Sequence, residues 1–261
     1  MKYRYPLLAV LLSLFAFDNA VADADLAREK RLREQIVDAI FDGEPMTLRA
    51  NGHEFLAVHM QSELEEVKGA AIILHGRGLH PNWDTIVQPL RTALPEQGWD
   101  TLSIQLPVLE KEAKYFDYVP LFPEASPRIE AAIAYLREQG AKRIVLIAHS
   151  CGAHMAMHWI DEQGDGAIDA YIGIGMGATD YQQPMAKPFP LAKMQVPVLD
   201  IYGSNDYPAV LRMAAERQAM MEQAGNPQSA QHVIDGAEHY FNGHNDALVE
   251  VVGEWLRGLE F

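Results

Sequence analysis

The sequence has only one cysteine, Cys151, among its 261 residues, so the chain can form no internal disulfide bond. It is also poor in positive charge, because 21 lysines and arginines stand against 36 aspartates and glutamates. The resulting formal net charge of −15 repels phosphate backbones and anionic lipids, which argues against a nucleic-acid partner. No internal repeat, low-complexity tract or linker interrupts the chain. We therefore expect one domain rather than two.

A long apolar run of the transmembrane kind is also lacking, since the apolar stretch at residues 7–17 is short for a membrane span. It follows the basic residues Lys2 and Arg4 and precedes an A-x-A pattern that ends just before Asp23. This arrangement is typical of a cleaved secretory signal peptide in residues 1–22. We expect a periplasmic or secreted protein without stable membrane insertion; the alternative is a retained anchor.

Apolar periodicity over residues 23–261 predicts strands that alternate with helices. Residues 23–45 form an expected helical extension, and Asn51-Gly52 predicts a hairpin. The predicted strands are residues 47–50, 54–60, 70–74, 101–106, 144–148, 168–174, 196–201 and 231–234. The predicted helices are residues 83–94 (capped by Asn82), 126–138 (with Pro127 at the first position), 152–161, 208–223 and 246–259. This α/β pattern predicts a mostly parallel sheet of about eight strands with helices on both faces.

The central strand, residues 144–148, leads into His149-Ser150-Cys151-Gly152 and then directly into a helical pattern. A sharp strand-to-helix turn leaves little room beside the serine, and the small residues Ala148 and Gly152 meet that need. The turn resembles the nucleophile elbow of the α/β-hydrolase superfamily, with Ala148 in place of the first glycine. The resemblance implies the α/β-hydrolase fold, with Ser150 as a nucleophile.

Two further strand ends carry the partners that a serine nucleophile needs. Asp206 follows the strand at residues 196–201, and His239 follows the last strand. A serine hydroxyl becomes a good nucleophile only when a base takes its proton and a carboxylate orients that base. The order Ser150, Asp206, His239 is also the α/β-hydrolase order. Asp180, beyond the preceding strand, remains the rival acid.

The fourth motif is His75-Gly76-Arg77-Gly78, after the strand at residues 70–74. It resembles the histidine-glycine oxyanion loop of lipases and esterases, with Arg77 in place of a glycine. Backbone N–H groups must face the oxyanion that develops during acyl transfer. We expect one donor from Cys151 and the other from Arg77, or from Gly76 if the loop is turned by one residue.

A narrower resemblance is to a family of exported bacterial α/β-hydrolase-like proteins of unknown function. It is carried by the His75–Gly78 motif with His80, Pro81 and Trp83, and by residues 102–107. This resemblance implies no particular substrate.

Two other patterns could indicate a metal site or a cysteine nucleophile, and we favour neither. His154 and His158 lie four apart on one helix face, but no acidic or cysteine ligand is evident near them, so packing is preferred over a metal site. Cys151 as nucleophile would put bulky His149 two residues before it, where the turn needs a small residue. We expect neither a metal nor a cofactor.

The sequence thus predicts a serine hydrolase that cleaves an ester, thioester or amide through an acyl-enzyme. The alternative is a catalytically inert binding protein with the same fold. The irregular stretches at residues 107–125 and 176–194 should form only a small lid over a small-molecule or acyl substrate. Arg77, Tyr115 and Phe116 are expected to contact it, although Arg77 could instead pair with a surface acid. The oligomeric state is not predicted.

Overall fold

A computed structural model describes residues 23–261, so the predicted signal peptide lies outside the described residues. In this part of the chain eight strands form one sheet in the order β1-β2-β4-β3-β5-β6-β7-β8. The strands are β1 (Glu44–Ala50), β2 (His53–Met60), β3 (Gly69–Leu74), β4 (Trp99–Ile104), β5 (Ile144–His149), β6 (Ala170–Ile174), β7 (Val198–Gly203) and β8 (Ala230–Ile234). The two antiparallel pairs are β1–β2 and β2–β4, and the other five pairs are parallel. The predicted fold class is confirmed.

Helices cover both faces of this sheet. They are α1 (Leu26–Ala39), α2 (Val87–Ala93), α3 (Tyr115–Tyr118), α4 (Phe122–Glu138), α5 (Cys151–Gln163), α6 (Pro208–Ala224) and α7 (Asn245–Gly258). One apolar cluster joins the sheet to α4 and α5, and a second joins the other face to α2 and α7. No helix within residues 23–261 combines the length and apolar character that a membrane crossing requires.

Strand β5 occupies the middle of the sheet, between β3 and β6. Successive side chains of a strand point to opposite faces, and Leu146 and Ile147 accordingly enter the two different clusters. The strand is buried along its whole length, which explains its unbroken apolar run. Its carboxyl end places Ser150 at the edge of the sheet where parallel strands gather functional residues.

Several predicted boundaries are wrong. Strand β1 begins at Glu44, inside the expected helical extension of residues 23–45, because α1 already ends at Ala39. Helix α2 begins at Val87 rather than at residue 83. Asn82 does not cap that helix, since its Oδ1 accepts a hydrogen bond from Arg91 Nη2 at 2.6 Å.

Helix α4 begins at Phe122, four residues before the predicted start. Pro123, and not Pro127, lies in the first turn, where the N–H that proline lacks would have no partner within the helix. Pro127 lies inside the helix. The preceding stretch is also less irregular than expected, because it contains α3 and a 3₁₀ turn at Val119–Leu121. Tyr118 of α3 is buried in the cluster beneath, so this segment is packed against the body of the protein.

Candidate active site

The backbone of Ser150 is bent into a conformation that L-residues seldom adopt, with φ of 54° and ψ of −117°. Its N–H donates to the carbonyl of Ile174, at the end of β6, at 2.9 Å. A Cβ at Gly152 would lie 2.5 Å from the carbonyl oxygen of His75, so only glycine fits there. The turn therefore holds Ser150 between β5 and α5 in the strained geometry of a nucleophile elbow.

A chain of hydrogen bonds joins three residues from three different loops. Ser150 Oγ lies 2.8 Å from His239 Nε2, and His239 Nδ1 lies 2.6 Å from Asp206 Oδ1. All three side chains are buried. The ring of His239 is confined on one side by Gly175, where a Cβ would lie 2.9 Å from Cε1. The arrangement fixes which nitrogen faces the serine.

Asp180, the rival acid, is engaged elsewhere. Its Oδ1 accepts a hydrogen bond from Arg77 Nη1 at 2.9 Å, and its Oδ2 accepts one from the N–H of Tyr115. The structure therefore places Asp206, and not Asp180, against His239. It also gives Arg77 an acidic partner, and the Arg77 side chain keeps 34% of its surface exposed beside the site.

His149, the residue before the serine, was not predicted to take part in the site. Burial lowers its pKa well below the ordinary histidine value, so the ring is neutral. Its Nε2 lies 3.1 Å from the carbonyl oxygen of His239, and the ring must donate there because a carbonyl only accepts. His149 thereby ties the end of β5 to the loop that carries His239. A histidine that ends an apolar strand was the only signal in the sequence.

Cys151 follows the serine and is fully enclosed. Burial raises the pKa of its thiol to about 12, so it is protonated at neutral pH and is a poor nucleophile. Its backbone N–H lies at the start of α5, where the helix dipole favours negative charge.

His75 organises the loop that follows β3. Its Nε2 accepts a hydrogen bond from the N–H of Leu106 at 2.9 Å, so its Nδ1 carries the proton and donates to the carbonyl of Gly76 at 2.8 Å. Burial lowers the pKa of His75 to about 3, which keeps this neutral tautomer in place. The sequence drew attention to the histidine but did not predict these bonds.

This loop passes directly beside the serine. A Cβ at Gly76 would lie 2.8 Å from His149 Nδ1 and 3.2 Å from Ser150 Cβ. Within the described residues, the N–H groups of Gly76, Arg77 and Cys151 donate to no other protein group. Such donors are free to bind an oxygen that enters the site.

Helix α1 contacts the same loop. Arg28 donates from Nη2 to the carbonyl of Gly78 at 3.0 Å, and its Nη1 donates to the carbonyl of Leu109. The next residue, Glu29, forms a buried two-bond ion pair with Arg128 of α4, at 2.8 and 3.1 Å. The amino-terminal helix is therefore attached to the edge of the site, which its amphipathic pattern alone did not predict.

The cavity around Ser150 is narrow, and Arg77 and Tyr115 are among the residues that line it. Phe116, the third residue expected to contact the substrate, does not line this cavity. Adjacent helical residues point about 100° apart, so Phe116 turns outward, 45% exposed. An unpredicted aromatic residue, Tyr207, stacks on the His239 ring with centroids 4.1 Å apart.

The two histidines of α5 serve different contacts. His154 Nε2 donates to the carbonyl of Ala178 at 3.0 Å, and its ring packs against Phe122 and Phe189. His158 lies 3.3 Å from Glu162. Among residues 23–261, no group of three or more His, Cys, Asp or Glu side chains is arranged to hold a metal ion.

The sheet order and the position of the elbow define an α/β-hydrolase fold, and solved structures with this fold are similar to the chain. An alpha-beta serine hydrolase homologue from Coxiella burnetii has a TM-score of 0.62 at 20% identity, over 85% of this chain and 99% of that one. A serine hydrolase without a lid from Xanthomonas campestris gives 0.61 at 17% identity, over 84% and 95%. Est1E from Butyrivibrio proteoclasticus, with ferulic acid bound, gives 0.65 at 16% identity, over 81% and 98%.

The chain belongs to the family described as "Protein of unknown function (DUF3530)", whose model matches residues 16–117 and 123–257. This agrees with the resemblance to an α/β-hydrolase-like family of unknown function. No curated protein matches the sequence.

Proposed function

We propose that the protein is a serine hydrolase that cleaves an ester, thioester or amide bond through an acyl-enzyme. The observation that carries this proposal is the hydrogen-bonded series Ser150–His239–Asp206 beside loop N–H groups that have no protein acceptor. Serine hydrolases of this fold supply a precedent in the similar structures.

In the first half-reaction, Ser150 Oγ attacks the substrate carbonyl while His239 Nε2 takes the hydroxyl proton. Asp206 holds the ring and stabilises the imidazolium. The N–H of Cys151, with that of Arg77 or Gly76, stabilises the tetrahedral oxyanion. His239 then gives the proton to the leaving group as its bond to the carbonyl carbon breaks.

In the second half-reaction, water attacks the acyl-enzyme. His239 takes a proton from the water, and the new tetrahedral intermediate forms at the same carbonyl carbon. When the bond to Ser150 Oγ breaks, the proton returns to the serine and the acid leaves. No group other than water is consumed, and the enzyme is restored.

We propose small acyl or aryl esters as substrates. The segments at residues 107–125 and 176–194 form only a small cover, and the cavity beside Ser150 is narrow. Two similar structures support this proposal by their descriptions, one a serine hydrolase without a lid and one with ferulic acid bound. The expected export of the protein also remains a proposal, which rests on the pattern in residues 1–22 alone.

The hydrolysis of a short-chain aryl ester by the wild type and by Ser150→Ala tests the proposed function. Ser150→Ala should lose at least about 10³-fold in kcat, because the nucleophile is removed while the oxyanion donors remain. Ser126→Ala is a matched control, since Ser126 is also buried but its Oγ contacts no polar partner among the described residues. A Ser150→Ala variant with the activity of the control would refute Ser150 as the nucleophile, and a wild type without activity above the uncatalysed rate would favour the inert binding protein.

A further inference from the structure

A wide cleft adjoins the narrow cavity at Ser150. Its volume is about 750 Å³, and it shares Arg77, Thr179 and Tyr207 with that cavity. A substrate whose carbonyl lies at Ser150 and which extends past these three residues enters this cleft. The cleft is therefore placed to select one side of the substrate.

The cleft carries more positive than negative charge. Its charged lining residues are Arg77, Lys114, Arg212 and a single acid, Asp180. The carboxylate of Asp180 is already occupied by the Arg77 guanidinium and by the N–H of Tyr115. The lining thus has an excess of two positive charges, in a chain whose formal net charge is −15.

Lys114 and Arg212 are the cations of this cleft that remain available. Both are exposed, and in the part of the chain that the structure describes neither forms an ion pair with a carboxylate. Two cations that line one cleft without a carboxylate partner form an attractive site for an anion. The planar guanidinium matches a carboxylate, which can accept two parallel hydrogen bonds from it.

Aromatic surface lies on the same walls. Tyr207 stacks on His239 and is partly exposed, and Tyr181 exposes 84% of its surface at a positive φ of 55°. A bulky residue with positive φ is uncommon, and such strain gathers at binding and catalytic sites. The walls therefore offer flat apolar faces beside the two cations.

Building on the proposed function, we propose that this cleft binds a carboxylate carried by the ester substrate, through Lys114 and Arg212. The carboxylate lies on the alcohol or the acyl side of the scissile bond, and the ring or chain that bears it packs on Tyr207. Neutral esters of the same size enter the cleft without this ion pairing.

The test compares matched esters that differ only in this charge. One pair is para-acetoxybenzoate and para-acetoxybenzamide, and the other is phenyl hydrogen succinate and its carboxamide analogue. The ratio of kcat/KM within each pair is measured for the wild type, Lys114→Gln, Arg212→Gln and the double variant. The preference for the carboxylate should fall about fivefold for each cation removed, mainly through KM, and should weaken as salt is added.

The double variant Lys111→Gln/Lys187→Gln is the matched control. It removes the same charge from the two covering segments, at exposed positions that do not line the cleft. Equal losses in the control would assign the preference to overall charge and overturn the proposal. A wild type with no preference in either pair would also overturn it.

A binding measurement separates this proposal from the proposed function. Ser150→Ala is titrated by calorimetry with para-acetoxybenzoate, which that variant should bind more tightly than para-acetoxybenzamide. If Ser150→Ala binds para-acetoxybenzoate through Lys114 and Arg212 while the wild type hydrolyses neither ester, the cleft is supported and the hydrolase is refuted. Hydrolysis of both esters by the wild type without any charge preference would support the hydrolase and refute the carboxylate-binding cleft.

Discussion

At the scale of single residues, Ser150 owes its geometry to its neighbours rather than to its own preference. Its positive φ is maintained by the hydrogen bond to Ile174 and by the close approach of Gly152 to His75. Strain of this kind costs of order 1–3 kcal/mol, which the surrounding packing offsets. The hydroxyl is thereby held toward His239 before any substrate arrives.

The hydrogen bond between Asp206 and His239 predicts how variants of the two residues behave. His239→Ala and Asp206→Asn should each lower kcat by roughly 10³–10⁴-fold, and the double variant should be little worse, because the residues act as a unit. Asp180→Asn is the comparison, since Asp180 contacts Arg77 instead of His239. Steady-state kinetics of the four variants measures this, and a larger loss for Asp180→Asn than for Asp206→Asn would show that the acid is misassigned.

The sequence alone predicted that Ser150, Asp206 and His239 lie close together, because each follows a strand and parallel strands end at one edge of the sheet. It did not predict the contacts of His149, His75 and Tyr207. Those depend on side chains that meet across different loops, for which the sequence has no local signal. From the sequence, Arg77 could contact a substrate or pair with an acid, and only the fold shows that Asp180 lies within reach of it.

Among the elements, α1 holds the His75–Gly78 loop, which we propose to supply the oxyanion donors. Arg28 binds the carbonyl of Gly78, and the Glu29–Arg128 pair anchors the helix to α4. Burial raises the pKa of Glu29 even though Arg128 lowers it, so this carboxylate depends on its partner. Removing one partner of a buried ion pair usually costs about 3–5 kcal/mol.

Arg28→Gln should therefore lower kcat by about tenfold to a hundredfold with little change in KM. Loss of the bonds to Gly78 and Leu109 lets the loop move, and small misplacements of catalytic groups have effects of this size. Arg31→Gln, an exposed position on the same helix, is the control. Kinetics together with melting temperatures would contradict the account if the folded Arg28→Gln enzyme kept the kcat of Arg31→Gln.

The types and order of the elements could be read from apolar periodicity, while several boundaries could not. Helix α2 starts late because Asn82 is taken by Arg91, a tertiary contact. Helix α4 starts early because Pro123, and not Pro127, occupies its first turn. Both positions offer an equally good local start signal, and packing decides between them.

At the scale of the whole molecule, buried neutral histidines make stability depend on pH. Burial lowers the pKa of His75 to about 3 and that of His154 to about 4, below the ordinary value of about 6.5 in an unfolded chain. Between these values the unfolded chain binds protons that the folded chain does not. The free energy of unfolding is therefore highest above pH of about 6.5 and falls progressively on acidification.

His154→Phe should flatten this dependence by up to about 1.4 kcal/mol per pH unit between pH of about 6.5 and 4. Phenylalanine keeps the stacking on Phe122 and Phe189 but cannot take up a proton. Urea unfolding at a series of pH values gives the two slopes, with exposed His53→Phe as the control. Identical slopes for the wild type and His154→Phe would show that His154 does not contribute to the pH dependence of stability.

The proposed function requires Ser150 to be an activated nucleophile, and covalent labelling by a fluorophosphonate measures that property without a substrate. The reagent forms a stable bond to a serine oxygen only when a neighbouring base removes the proton. Intact mass and peptide mapping should locate one adduct on Ser150 in the folded wild type and none in Ser150→Ala, His239→Ala or the denatured chain. A folded wild type that stays unlabelled, or a label on another serine, would contradict the account.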